Sequence, residues 1–237
     1  KQKGKKISGV SEIIKYLSDS DITQGYVDDL IKNNYSELVK ERQKIICDED
    51  LLKELFKVQE FNWSVVQRQL DNKIQVNYVR KYFRYSDIIK HVEQELYDEI
   101  KKYVICTWYN HWTTVIIEDL ISRHERIIPT IKNVKGVDIF FDNQPFDLKI
   151  TYMPNSYKNI QESLKNPKDL IIWLYENQGA QRFGADNRFF VILYDKQNPK
   201  KSWEIKRDIN LIQTKISEFF NTEKVNKSDE IVFTFQK

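Results

Sequence analysis

Glycine and proline are scarce in this chain, six and five among 237 residues, and neither occurs between Gly25 and Pro129. So long a stretch without a breaker suits helices and argues against a flexible linker within it. No apolar run approaches the length needed to cross a membrane, so no membrane partner is expected. Cysteine occurs only at Cys47 and Cys106, both in apolar helical contexts and neither in a CxxC. That pattern reads as two buried thiols in a reducing, cytoplasmic setting. His91, His111 and His124 are scattered without ligand spacing, so zinc is not expected. Met153 is the only methionine and the chain opens at Lys1, so its original start is expected to lie outside it, and no secretory signal is visible at the N-terminus as given. A surplus of one charge sign is also lacking. The net charge of +3 does not by itself announce nucleic acid. There is no internal repeat and no low-complexity tract.

What is present supports a substantial core. Hydrophobic residues make up 41% of the chain and aromatics 13%, enough for one large domain or two small ones. The first part, residues 1–103, reads as mainly helical and suited to DNA binding, dimerisation or scaffolding. Ser11–Leu17, Asp28–Leu38, Asp48–Arg68 and Asp87–Tyr103 carry helical apolar spacing, with Asp48 as an N-cap. The second part, residues 104–237, opens with a helix over Val104–Arg126 that is apolar around most of its girth. Its narrow polar stripe holds His111, Thr114, Glu118, Ser122 and Glu125, while Asp119 falls toward the apolar side, where an unpaired carboxylate is expensive. After a hairpin come a helical stretch over Ser156–Asn177 interrupted near Pro167, a buried strand over Arg188–Asp195, a helix over Ser202–Phe220 and a strand over Glu230–Phe235. This order predicts an α/β fold with a mixed sheet.

The hairpin carries the chemistry. Val137, Ile139 and Phe141 alternate with Asp138, Phe140 and Asp142; Phe146, Leu148 and Ile150 alternate with Asp147, Lys149 and Thr151. Both arms have period two, and the residues of Asp142-Asn143-Gln144-Pro145 favour a turn. Asp147 and Lys149 therefore project from one face, and Asp138 on the neighbouring arm can reach it. Two carboxylates gathered with one ammonium are costly unless something binds between them, and a hard divalent cation suits carboxylate oxygens. A half-exposed hairpin with charges on its outer face is the plainer reading of the same residues. Other acidic-x-Lys triplets, Asp71-Asn72-Lys73, Glu99-Ile100-Lys101 and Glu204-Ile205-Lys206, do not lie on such a hairpin and read as chance.

The arrangement resembles the catalytic core of the PD-(D/E)xK nuclease superfamily, type II restriction endonucleases in particular. Asp138 matches the lone Asp, and Asp147-Leu148-Lys149 the (D/E)-x-K tripeptide; Val137 stands where Pro often precedes the Asp. The likeness covers roughly residues 104 to 195. It implies a restriction-endonuclease-like core, a mixed central sheet flanked by helices. It further implies Mg²⁺, or Mn²⁺ in its place, on Asp138, Asp147, the Leu148 carbonyl and a helical glutamate. Glu118 is the candidate for that glutamate, with Asp119 and Glu125 as alternatives. Lys149 would stand beside the attacking water and the scissile phosphate. The implied activity is sequence-specific cleavage of double-stranded DNA by a homodimer, with a cognate DNA methyltransferase in the same system. A repair or structure-specific nuclease, a nuclease acting on RNA, and a non-catalytic nucleic-acid-binding protein are the alternatives.

Two further clusters bear on DNA binding. Arg80-Lys81-Tyr82-Phe83-Arg84-Tyr85 interleaves three cations with three aromatics, which suits phosphates and bases as well as a solvated cationic face over core rings. Gln178, Gln181, Arg182, Asn187 and Arg188 gather around Gly179 and Gly184, where phosphate contact, helix capping and base reading are the candidate roles, in that order.

Overall fold

The computed structural model describes residues 10–18, 20–61, 67–134, 136–177 and 187–226. It is a mixed α/β protein. Helices α1 (Val10–Ser18), α2 (Gln24–Gln43), α3 (Asp48–Leu55), α4 (Gln67–Ile74), α5 (Tyr85–His91) and α6 (Tyr97–Ser122) precede the first strand. Strands β1 (Ile127–Val134), β2 (Val137–Phe141) and β3 (Gln144–Tyr152) then run as a meander. Helices α7 (Ile160–Ser163) and α8 (Lys168–Asn177) lead to β4 (Arg188–Leu193), a 3₁₀ segment (Pro199–Arg207) and α9 (Ile209–Thr222).

The four strands form one sheet in the order β1-β2-β3-β4. The first two pairings are antiparallel and the third, β3 with β4, is parallel. The parallel crossover uses α7 and α8, the kind of connection that a parallel pair requires. Phe141 pairs with Gln144, so the β2–β3 turn is the two-residue Asp142-Asn143, both at positive φ (48° and 63°). Asp and Asn tolerate this left-handed region better than other side chains, and such turns match strand twist. Arg126 holds the turn in place, donating to both Asp142 oxygens at 2.7 and 2.9 Å.

Strand alternation sorts the core. Ile139, Phe141 and Leu148 pack with Ile117, Ile121, Ile212, Ile216 and Phe220 of α6 and α9. On the other face Phe190 and Ile192 pack with Leu170 and Leu174 of α8. A further cluster joins Leu51, Leu55 and Val58 to Tyr109, Ile116 and Trp203, so the N-terminal helices share a core with α6 and the 3₁₀ segment. The boundary expected between residues 103 and 104 falls inside α6, which is continuous across it.

Several local expectations are corrected. The helix expected over Val104–Arg126 begins earlier, at Tyr97, and stops at Ser122, because the chain turns at 123–126 and enters β1. β1 itself was not expected. Pro129 argues against an interior strand, but among the described residues β1 is an edge strand with an irregular register between Pro129 and Val134, which tolerates it. The helix expected over Asp48–Arg68 ends at Leu55. Asp48 is its first residue rather than its N-cap, which is Cys47, and its carboxylate is taken by Arg42 and Gln43. The helix expected over Ser202–Phe220 is a 3₁₀ segment followed by α9, with Asp208 capping the Leu211 N–H between them. The strand expected over Glu230–Phe235 lies outside the described residues.

The costly carboxylate on the apolar side of α6 does find partners. Asp119 is buried, accepts from the Tyr35 hydroxyl at 2.8 Å and pairs with Arg42 at 2.8 Å, both on α2. Arg42 also bridges to Asp48 at 2.7 Å. Removing one partner of such a pair leaves the other charge buried and unmatched. Arg42→Met is expected to cost about 3 kcal/mol in urea unfolding, and a second change, Asp119→Asn, is expected to return much of it. Additive losses in the two variants would show that the pair does not couple α2 to α6.

Candidate active site

The hairpin residues meet where the sheet changes partners. β3 pairs with β2 only as far as Phe146, and with β4 from Asp147 onward. Beyond Ile139 the ladder to β2 stops, and a side chain fills the gap: Asp138 Oδ2 accepts the Leu148 N–H at 2.8 Å. This point of divergence, at Asp147 between the β2 residue Asp138 and the start of β4, is the notch. Leu148 itself points into the α6–α9 core, so Asp147 and Lys149 take the opposite face of β3.

Asp147 is buried and doubly engaged. Lys149 Nζ donates to its Oδ1 at 2.7 Å. Arg188 Nε lies 3.4 Å from its Oδ2, an ion pair too long and poorly directed to count as a hydrogen bond. The Arg188 guanidinium also lies over the Tyr175 ring at 5.1 Å, and its backbone N–H donates to the Tyr175 hydroxyl at 2.9 Å. With only 8% of its side chain exposed, Arg188 is placed as a second cation for Asp147 and not as a free surface contact.

Glu118 approaches from α6. Its pKa is raised to about 7, first by burial and then by the carboxylates of Asp138 and Asp119, against the pull of Lys149 and Lys206. The structure thus separates the three helical candidates. Glu118 faces the charges of the notch, Asp119 is occupied by α2, and Glu125 is exposed with its carbonyl bonded to Lys32.

Sequence reading missed Lys206. Its triplet Glu204-Ile205-Lys206 looked like a chance match on a helix, yet Lys206 is fully buried. Its ammonium donates to Asn110 Oδ1 and to Thr114 Oγ1, and lies 5.3 Å from the centre of the Tyr152 ring. Asn110, Thr114 and Glu118 recur every four residues on α6, so the polar stripe is one continuous face leading to the notch. Burial lowers the Lys206 pKa to about 8, partly offset by Glu118. The available signal was the 3₁₀ spacing of Trp203 and Lys206, which puts the lysine on the same side as a core tryptophan.

The remaining sequence candidates are dispersed. The Asn187 carbonyl accepts the Asp147 N–H at 2.9 Å, but its side chain is exposed. Gln178 and Arg182 lie outside the described residues. Arg80, Lys81 and Arg84 are exposed on a turn before α5, in the N-terminal helices and not on the hairpin. Among the described residues, no three His, Cys, Asp or Glu side chains already meet as a ligand cluster. The donor set itself, carboxylate oxygens with no thiol or imidazole, is the chemistry that hard divalent cations favour.

No family model, curated protein or solved structure matches the chain.

The raised Glu118 pKa has a thermodynamic consequence. Between the ordinary 4.5 and about 7 the folded chain holds a proton that the unfolded chain has lost, so this group's contribution to stability falls as pH rises through that window. Glu118→Gln is expected to abolish that fall, leaving the variant about 2 kcal/mol more stable than wild type at pH 8 and equal to it near pH 4, after allowance for solvent screening. Denaturant unfolding across pH checks this, and parallel profiles for the two proteins would refute it.

Proposed function

We propose that this chain is a metal-dependent endonuclease for double-stranded DNA, of the PD-(D/E)xK type and of restriction-enzyme character. One observation carries the reading. Asp138 accepts the Leu148 N–H where β2 leaves β3, Asp147 and Lys149 pair on either side of that residue, and Glu118 lies close enough for the Asp138 charge to raise its pKa. Carboxylates set so near one another repel, and a bound cation is what would relieve them.

The donor set fits Mg²⁺, or Mn²⁺ in its place. Asp138, Asp147 and Glu118 would hold it, with the Leu148 carbonyl as a further oxygen, and when bound it would supply an activated water and neutralise charge developing on phosphorus. Asp138 and Asp147 come to this task anchored, by the Leu148 N–H and by Arg188 respectively. Lys149, 36% exposed at its side chain, is the cation of the notch that an incoming phosphate can reach. Its role is to transfer its ammonium from Asp147 toward the phosphate oxygens and to stabilise the negative charge that builds there. Glu118, raised to about 7, can take or keep a proton near neutral pH. Lys206 underlies Glu118 and moderates its charge.

Two-fold symmetric cleavage of both strands would favour a homodimer, and a restriction enzyme would require a cognate methyltransferase. The expected result with purified protein and unmethylated duplex DNA is discrete fragments in Mg²⁺ and none in EDTA. Lys149→Ala is expected to slow cleavage by roughly 10²–10³-fold while leaving the fold intact, since Lys149 lies at the rim. Intact DNA across a varied panel, or undiminished cutting by the variant, would reject the assignment.

A further inference from the structure

Helix α4 runs on through a π-helical turn, Gln75–Val79; the chain then reverses over residues 80–84 and returns through α5, a second π-helical turn (Val92–Leu96) and α6. The result is a helical hairpin. Its limbs are tied by the Lys73–Glu99 ion pair and by Tyr82 stacked on His91, with ring centres 4.3 Å apart and planes 12° apart. Tyr78 is buried at 4% exposure just before the reversal. The tip is therefore built in place, with Lys81 over the Tyr82 ring at 5.1 Å.

What the tip presents is unusual for a free surface. Phe83 is 97% exposed and Tyr85 81%. Arg80, Lys81 and Arg84 are exposed beside them, and no acidic residue lies between Arg80 and Ser86. Single exposed apolar side chains are ordinary. Two uncovered rings among three cations on a braced turn suit an anionic backbone beside base steps that an apolar wedge can enter.

We propose that this tip is a second DNA-contacting element, in which Arg80, Lys81 and Arg84 bind phosphates and Phe83 wedges between base steps of the duplex. The proposal rests on the endonuclease reading for its ligand, duplex DNA. The helical path from Tyr85 to Glu118 is roughly 50 Å long at the α-helical rise. At about 3.4 Å per base pair, the tip would reach DNA up to about 15 base pairs from the notch, so it grips flanking sequence and not the scissile step.

The test is fluorescence anisotropy of a duplex of about 40 base pairs with the full chain, in EDTA and in Ca²⁺, over a salt series. Arg80→Gln/Lys81→Gln/Arg84→Gln is expected to reduce the slope of log affinity against log salt by about 2.7, one phosphate contact per cation. Phe83→Ala is expected to weaken binding about tenfold at an unchanged slope, since it removes the wedge and no charge; its near-complete exposure keeps the fold out of question. A wild-type slope in the triple variant, wild-type affinity in Phe83→Ala, or no binding by wild type in either buffer overturns the proposal. So does a change from dimer to monomer in Phe83→Ala with affinity unchanged, which would assign the tip to self-association. If the tip binds as expected and no DNA is ever cut in Mg²⁺, the endonuclease reading alone falls; if DNA is cut while the tip variants bind like wild type, the tip alone falls.

Discussion

Helix α6 carries two adjacent carboxylates, Glu118 and Asp119, and its rotation decides which is neutralised and which is left to act. Successive residues on an α-helix point about 100° apart, so the two cannot share an environment. Asp119 is bonded by Tyr35 and Arg42 of α2, and Arg42 is itself held by Asp48 at the start of α3. This arrangement locks α6 against the N-terminal helices. With Asp119 fixed on that side, Glu118 turns toward the notch between β2 and β3. Among the described residues, the helices before α6 thus set the orientation of the candidate site without contributing a side chain to it. Arg123 extends the same network, 3.4 Å from Asp48 at the end of α6.

The notch depends on a second constraint, the partner change of β3. A continuous antiparallel ladder would bury Asp138 and Asp147 side by side, with no room between them. Because β3 leaves β2 after Phe146 and joins β4 at Asp147, the backbone of Leu148 offers its N–H to a side chain instead of a strand. Asp138 takes that bond, which fixes its orientation. The parallel pairing with β4 brings Arg188 opposite Asp147, so the strand that opens the notch also supplies a counter-charge.

The hairpin was legible because alternation over two arms and an Asp-Asn turn agree with one another, and local agreement of this kind is what fixes register. Glu118 was legible as the middle of a polar stripe on an apolar helix. β1 was not, since Pro129 hides it and only its edge position permits that residue. The π-helical turns were not, because an inserted residue shifts a helical stripe without leaving a distinct composition. Lys206 left only the faint signal of its spacing from Trp203, and the pairing of Arg188 left none: each reaches the notch through tertiary packing, from segments far along the chain.

That dependence on assembly distinguishes the site from the triplet that first suggests it. On the hairpin alone, Asp138, Asp147 and Lys149 amount to two negative charges and one positive. α6 adds Glu118, β4 adds Arg188, and the 3₁₀ segment adds Lys206 beneath Glu118. The three acids and three cations are thus drawn from five separate elements. Lys206 is wholly buried on Asn110 and Thr114 and Arg188 is nearly buried beside Asp147, while Lys149 is the cation at the rim. Among these three cations Lys149 is the one positioned to exchange its carboxylate for an anion arriving from solvent. An acidic-x-Lys triplet on a solvated helix has none of this: its lysine is already matched by water, and nothing requires it to seek a phosphate.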